Sequence, residues 1–301
     1  MSAAVTLKAS PLRAVRTKRV APVRALIYGE GGKGKSTFGS HAPAPIFIAP
    51  EDGLVNIDTE ALPSPVTWAD LVTSLRALAT EDHAWQTVVI DSLDWAEPLC
   101  WAHVCAKAKK ADIEAFGYGK GYVAAVDEWR VFVAALSALR ARGMNVVLIA
   151  HAVIKTFKNP EGDDYDRWAP KLHEKATGLI VEWCDAVMFA CDETFVVEKG
   201  TRSRGISSGR RILKTVGAAG LLAKNRFGLP PELPLDWHAF ADAVKAGSTP
   251  PDEQLTALLE ELGDPEVTKG CQAFVAGGGS VQEAMQTVRG YLNEKAKEAK
   301  K

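Results

Sequence analysis

Apolar residues come along this chain in short unbroken bursts, separated by polar turns and by longer stretches of helical spacing. Ala25-Leu26-Ile27-Tyr28 is the first burst, and Ile46 to Ala49, Thr87 to Ile90 and Asn145 to Ala150 follow. Unbroken runs of this length are the pattern of strands covered on both faces, as in a parallel sheet. Between them lie helical patterns, from Trp68 to Ala79 behind a capping Thr67, and from Tyr122 to Arg142, ended by Gly143. Strand and helix alternate, which predicts an α/β fold with a mainly parallel central sheet flanked by helices. Three further runs, Ala186 to Ala190, Thr194 to Val197 and Arg211 to Val216, are expected to add antiparallel strands. Gly247-Ser248-Thr249-Pro250-Pro251 has the composition of a linker. Beyond it, helical patterns near 252–262, 265–276 and 281–297 predict a small C-terminal helical region. The plan is then a basic leader over 1–22, one α/β domain over 23–246, a linker over 247–251 and a helical tail over 252–301.

Composition narrows the classes. A chain of 301 residues, 47% hydrophobic, fills one α/β domain of about 220–250 residues plus an appendage. The net charge of −1 provides no whole-molecule attraction for nucleic acid, so such binding would need local basic patches. Cys100, Cys105, Cys184, Cys191 and Cys271 show no metal-ligand spacing and read as reduced thiols. No apolar stretch approaches the length of a membrane span and the N-terminus has no signal-peptide core, so a soluble cytoplasmic protein without a membrane partner is expected. The leader carries Lys8, Arg13, Arg16, Lys18 and Arg19, followed by Arg24, with no acid among them. It reads as a solvated leader, a nucleic-acid arm or a transit segment.

Gly29-Glu30-Gly31-Gly32-Lys33-Gly34-Lys35-Ser36 fits the phosphate-binding pattern G-x-x-x-x-G-K-[ST] directly after a predicted strand. Glycines there let backbone N–H groups curl around a phosphate, Lys35 reaches the β- and γ-phosphates, and the Ser36 hydroxyl ligates Mg²⁺. Gly29, Gly31, Gly32, Lys33, Gly34, Lys35, Ser36 and Thr37 are therefore the expected nucleotide-binding set, with ATP and Mg²⁺ as cofactors. Hydrolysis needs two acids more: one to hold the metal, one to orient the attacking water. Asp91 closes the strand "TVVIDS", and Glu51 follows the strand in "PIFIAPEDGL", with Asp52 as the alternative. In a parallel sheet both would meet at the C-terminal strand ends.

"FIAPEDGL", "VVIDSL", "VVLIAH" and "LLAKNRFGLP", in that order, resemble the motif set of RecA-like recombinases, and more closely that of phage-encoded RecA-like single-strand annealing ATPases. The resemblance spans roughly residues 23–238. It implies a P-loop ATPase core with Glu51 as the catalytic glutamate and Asp91 at the metal. It also implies a γ-phosphate sensor at His151, where bacterial RecA has glutamine. Lys224 and Arg226 fall where oligomeric members carry cations that reach a neighbour's γ-phosphate, which implies a homo-oligomeric ring or filament.

Two segments combine basic residues with aromatics and glycines, a composition suited to single-stranded DNA. The first holds Lys107, Lys109, Lys110, Tyr118 and Lys120; the second, just after His151, holds Lys155, Lys158 and Arg167. RecA-like recombinases place their DNA loops at these points. The second segment also contains Glu161, Asp163, Asp164 and Asp166. The function expected is ATP-driven annealing or recombination on single-stranded DNA. Its rivals are a small-molecule P-loop kinase and a nucleotide-gated scaffold recruiting a replication protein or a single-strand-binding protein.

Overall fold

The computed structural model describes residues 21–199, 202–248 and 251–298. Most of the basic leader lies outside the described residues.

The first burst forms β1 (Arg24–Gly29), which leads through the glycine-rich loop into α1 (Lys35–Ser40). Then come β2 (Pro45–Ile48), a two-residue β3 (Glu60–Ala61) and α2 (Trp68–Thr80). Thr67 caps α2 as expected: its side chain accepts from the Asp70 N–H while the Asp70 carboxylate accepts from the Thr67 N–H. Losing such a cap costs about 1 kcal/mol. β4 (Thr87–Ile90), α3 (Leu93–Ala108), α4 (Lys120–Ala141) and β5 (Asn145–Phe157) complete the next crossovers. β6 (Tyr165–Pro170) folds back on β5 as an antiparallel hairpin. The segment read from sequence as a basic loop after His151 is thus mostly two paired strands.

α5 (Glu174–Trp183) is a helix that the strand-centred reading passes over. It is the crossover that reverses the chain, so that β7 (Ala186–Lys199) runs parallel to β1, from Ala25 beside Ala186 to Gly29 beside Ala190. The expectation of an antiparallel strand at Ala186 to Ala190 is corrected accordingly. Thr194 to Val197 continues the same strand and pairs with the antiparallel β8 (Arg202–Lys214). β9 (Lys224–Asn225) and β10 (Glu232–Pro234) are short antiparallel additions. The sheet order is β10-β8-β7-β1-β5-β4-β2-β3, so the β5 strand separates the glycine-loop strand from the Asp91 strand.

Both faces of the sheet are covered, which is why its strands read as unbroken apolar runs. Leu26, Tyr28, Val146, Leu148 and Ala150 face one core with α2, α3, α4 and α5, where Trp68, Trp129 and Phe132 pack edge to face. Ala25, Ile27, Val147 and Ile149 face the other, against Phe38 of α1 and α6 (Trp237–Ser248), whose Trp237 and Phe240 pack at steep angles around Phe38. Truncating a buried aromatic such as Trp129 costs about 3–5 kcal/mol.

α6 reaches Ser248, and Gly247 within it lies against the backbone of Phe227: a Cβ there would sit 1.9 Å from the Phe227 carbonyl oxygen. This glycine, read as linker punctuation, permits a close approach. α7 (Pro251–Leu262), α8 (Pro265–Ala276) and α9 (Val281–Glu298) follow and share a core of their own, with Leu255, Leu259, Leu262, Cys271, Met285 and Val288. No helix among the described residues is long and apolar enough to cross a membrane. The five cysteines are unpaired.

Candidate nucleotide site

β1 delivers the loop at the C-terminal edge of the sheet. Gly34 adopts φ +93°, a conformation that side-chain-bearing residues rarely hold, and from it α1 begins at Lys35. The Lys35 side chain is buried, and its ammonium donates to the carbonyls of Gly29 at 2.9 Å and Glu30 at 2.7 Å. Burial lowers the Lys35 pKa, and Asp91, Asp94, Glu51 and Glu30 work against that shift. Lys33 turns the other way, to a 2.7 Å ion pair with Asp192 of β7.

β4 ends one residue before Asp91, which is 7% exposed and has the Ser36 hydroxyl beside it. Burial raises the Asp91 pKa, Ser36 and Lys35 oppose it, and nearby Glu51 adds to it. Asp91 and Ser92 are joined by a cis peptide bond. The Ser92 hydroxyl donates to Glu51 Oε2 at 3.1 Å, fixing the carboxylate that β2 brings to the same edge. His151 arrives on β5, directly beside Gly29. Its backbone N–H and Nδ1 meet the two oxygens of Asp94 at 2.9 and 3.0 Å, and Nδ1 stands 4.0 Å from Glu51 Oε2. The Asp94 bond raises the His151 pKa against a smaller opposing effect of burial. Burial pushes the Asp94 carboxyl up, but the bonds to His151 outweigh it and hold the group below its ordinary range.

These side chains surround a cavity of about 370 Å³ that Gly32, Gly34, Thr37 and Arg211 also line. Gly31 and Gly32 have open space where a Cβ would be. Among the described residues no three His, Cys, Asp or Glu side chains are grouped to hold a metal. Mg²⁺ does not need such a cage, because one or two protein ligands with phosphate oxygens and water suffice. Ser36 and Asp91, side by side in the cavity wall, fit that role. Mg²⁺ held there would supply positive charge against the phosphate oxygens.

A comparison with protein families matches residues 21–227 to an AAA domain. The chain belongs to the AAA-domain family. No curated protein matches it. Membership points to nucleotide-binding ATPase activity and agrees with the α/β P-loop core. In this AAA-domain protein the packing continues past the matched segment, because α6 seals the core around Phe38.

The remaining sequence candidates are dispersed. Lys224 and Arg226 flank the start of β7, level with Leu26 and Arg24, at the end of β1 away from its loop. Lys224 donates to the last-turn carbonyls of α5 at Val181 and Glu182, both at 2.7 Å, and Arg226 lies 3.6 Å from Asp185. Lys107 pairs with Glu128 at 2.7 Å and Lys158 pairs with Asp164. Lys155 donates to the Leu172 carbonyl, and Arg167 lies over the Phe157 ring. Lys109, Lys110 and Lys120 are exposed, with no ion pair among the described residues, and Tyr118 is fully exposed. Sequence reasoning passed over Asp94, Ser92 and Arg211. For Asp94 the signal was present: in "IDSLD" a second aspartate falls three residues after Asp91, at the first turn of α3.

Proposed function

We propose that this AAA-domain protein is a Mg²⁺-dependent ATPase of RecA-like type that binds single-stranded DNA and promotes annealing or recombination, as the phage-encoded RecA-like proteins it resembles do, working as a homo-oligomer. The observation that carries the ATPase part is the convergence of Lys35, Ser36, Asp91, Glu51 and His151 on one cavity from four different strand ends. Each has a distinct task. Lys35 and the loop hold phosphate, Ser36 and Asp91 hold the metal, Glu51 orients and deprotonates water, and the His151 imidazole, kept basic by Asp94, faces the developing negative charge.

The DNA part draws support from β5. That strand leaves the sheet at His151 and runs straight into the hairpin carrying Lys155, Lys158 and Arg167. The other basic segment adjoins it, since Tyr122, at the start of α4, stacks on His173 just after β6 with centroids 4.1 Å apart. DNA bound there would press on the element that positions His151. ATP turnover measured with and without single-stranded DNA tests this. Stimulation is expected; turnover that ignores DNA would leave an ATPase without the nucleic-acid role, and a phosphorylated small-molecule product would make it a kinase.

A further inference from the structure

The nucleotide cavity contains a cation that the hydrolytic group leaves unused. Glu51, Asp91 and His151 come from β2, β4 and β5, all on one side of β1 in the sheet order, whereas Arg211 comes from β8, two strands away on the other side. Its guanidinium rests against the last glycine of the loop: a Cβ on Gly34 would lie 3.1 Å from Arg211 Nη1.

The fold builds this placement. Asp192 of β7 faces Arg211 and Thr194 faces Ser207, so that Ser208, Gly209 and Arg210 together oppose Glu193. A bulge of this kind re-aims the side chains that follow it. Its polar groups are satisfied locally, as Glu193 Oε2 accepts from the Ser208 hydroxyl at 2.7 Å and lies 3.8 Å from Arg210 Nη1. Asp192, the acid opposite Arg211, is bound by Lys33 instead. Of two adjacent arginines, Arg210 closes the bulge and Arg211 lines the cavity, with no ion pair among the described residues.

We propose that Arg211 is a nucleotide-positioning residue that binds the α- and β-phosphates in cis. This deepens the reading of the cavity as a P-loop nucleotide site and rests on it. The loop cradles the β-phosphate, so a guanidinium against Gly34 on the flank away from Glu51 meets the β- and α-phosphates and leaves the γ-phosphate to Lys35 and His151. The planar fork of arginine matches two phosphate oxygens in a way that lysine does not. Arg211 therefore contributes to affinity for the diphosphate and triphosphate alike and not to the hydrolytic step.

The test compares the full-length protein with Arg211→Ala, Arg211→Lys and Lys35→Ala for binding of ATP, ADP and pyrophosphate, together with KM, kcat and thermal melting. Arg211→Ala should weaken all three ligands by a similar factor, roughly ten- to a hundredfold for a lost charge-assisted contact. It should raise KM, leave kcat and the melting temperature in place, and be partly rescued by Arg211→Lys. Unchanged affinity in Arg211→Ala, beside lost affinity in Lys35→Ala, overturns the role of Arg211 and leaves the nucleotide site standing. A loss confined to kcat or to ATP would move the guanidinium to the γ-phosphate, and a loss for ATP and ADP but not pyrophosphate would move it to the base. Each of those results rejects the proposal. Wild-type protein that bound no nucleotide would reject the site and the proposal together.

Discussion

Glu51 and Asp91 share one cavity, but their surroundings separate their tasks. Asp91 is sealed against Ser36, where a carboxylate can hold a metal but cannot reach bulk water. Glu51 keeps 27% of its side chain exposed and is steadied from the side by Ser92, so it can hold a water in place and take its proton. Glu51→Gln should therefore retain ATP while turnover falls about a hundredfold or more, the range for a positioned general base. Lost ATP affinity in an equilibrium binding measurement would assign Glu51 to the metal instead. One turn along α3 from Asp94, Glu97 presents a different consequence of burial. Its two oxygens accept from the His173 N–H at 3.0 Å, and burial pushes its carboxyl from 4.5 up to about 7. Between those values the folded protein holds a proton that the unfolded chain has released. Stability must then fall as pH rises through that window, by about 3 kcal/mol across the whole of it. Glu97→Gln should flatten the change in melting temperature between pH 5 and pH 8; an unaltered slope would show that Glu97 ionises at its ordinary pKa.

β5 is the element on which the site and the proposed DNA surface both depend. Its first half was legible in the sequence because an unbroken apolar run has one reading in a doubly covered sheet. Its second half was not, since Ala152 to Phe157 alternates only weakly and its pairing with β6 is a contact between segments. The same distinction runs through the molecule. The glycine loop, the ends of β2 and β4 and the three tail helices are local patterns, and each stands where the sequence put it. The direction of β7 depends on the crossover through α5, and Asp94 and Arg211 matter only because distant strands bring them to the cavity. The structure also sorts the basic residues by availability. Lys107 is held by Glu128, whereas Lys109, Lys110 and Lys120 point to solvent without ion pairs among the described residues. Replacing those three with alanine should weaken single-stranded DNA binding and reduce the slope of log affinity against log salt by about 2, near 0.7 for each lost phosphate contact. Lys107→Ala should change little. A slope that stayed constant in the triple variant would remove this segment from the DNA surface.

At the scale of the whole molecule, Lys224 and Arg226, the two cations proposed to act on a neighbour's nucleotide, lie away from their own chain's cavity. Arg226 stands at the end of β1 opposite the loop, about 17 Å away for a six-residue strand, and Lys224, level with Leu26, has its ammonium held on the last-turn carbonyls of α5, so within one chain neither is placed at the γ-phosphate beside Lys35. If they act, they act on a neighbour. Arg226 is suited to that, because its 3.6 Å contact with Asp185 is partly exposed and Asp185 keeps Arg24 as a bidentate partner when Arg226 moves away. Arg226→Ala should thus leave the fold and ATP binding intact and lower turnover by about 10³, the scale of a lost arginine finger. Mixing separates this from a local defect. Arg226→Ala subunits have an intact pocket and no finger, Glu51→Gln subunits the reverse, so a mixed assembly contains junctions where an intact pocket meets an intact finger. Activity should reappear on mixing two preparations that are each nearly inactive, and should peak at intermediate ratios. Additive residual rates at every ratio, or a wild-type protein that remains monomeric with ATP and DNA while turning over at full rate, would return Lys224 and Arg226 to a purely structural role at the foot of β7.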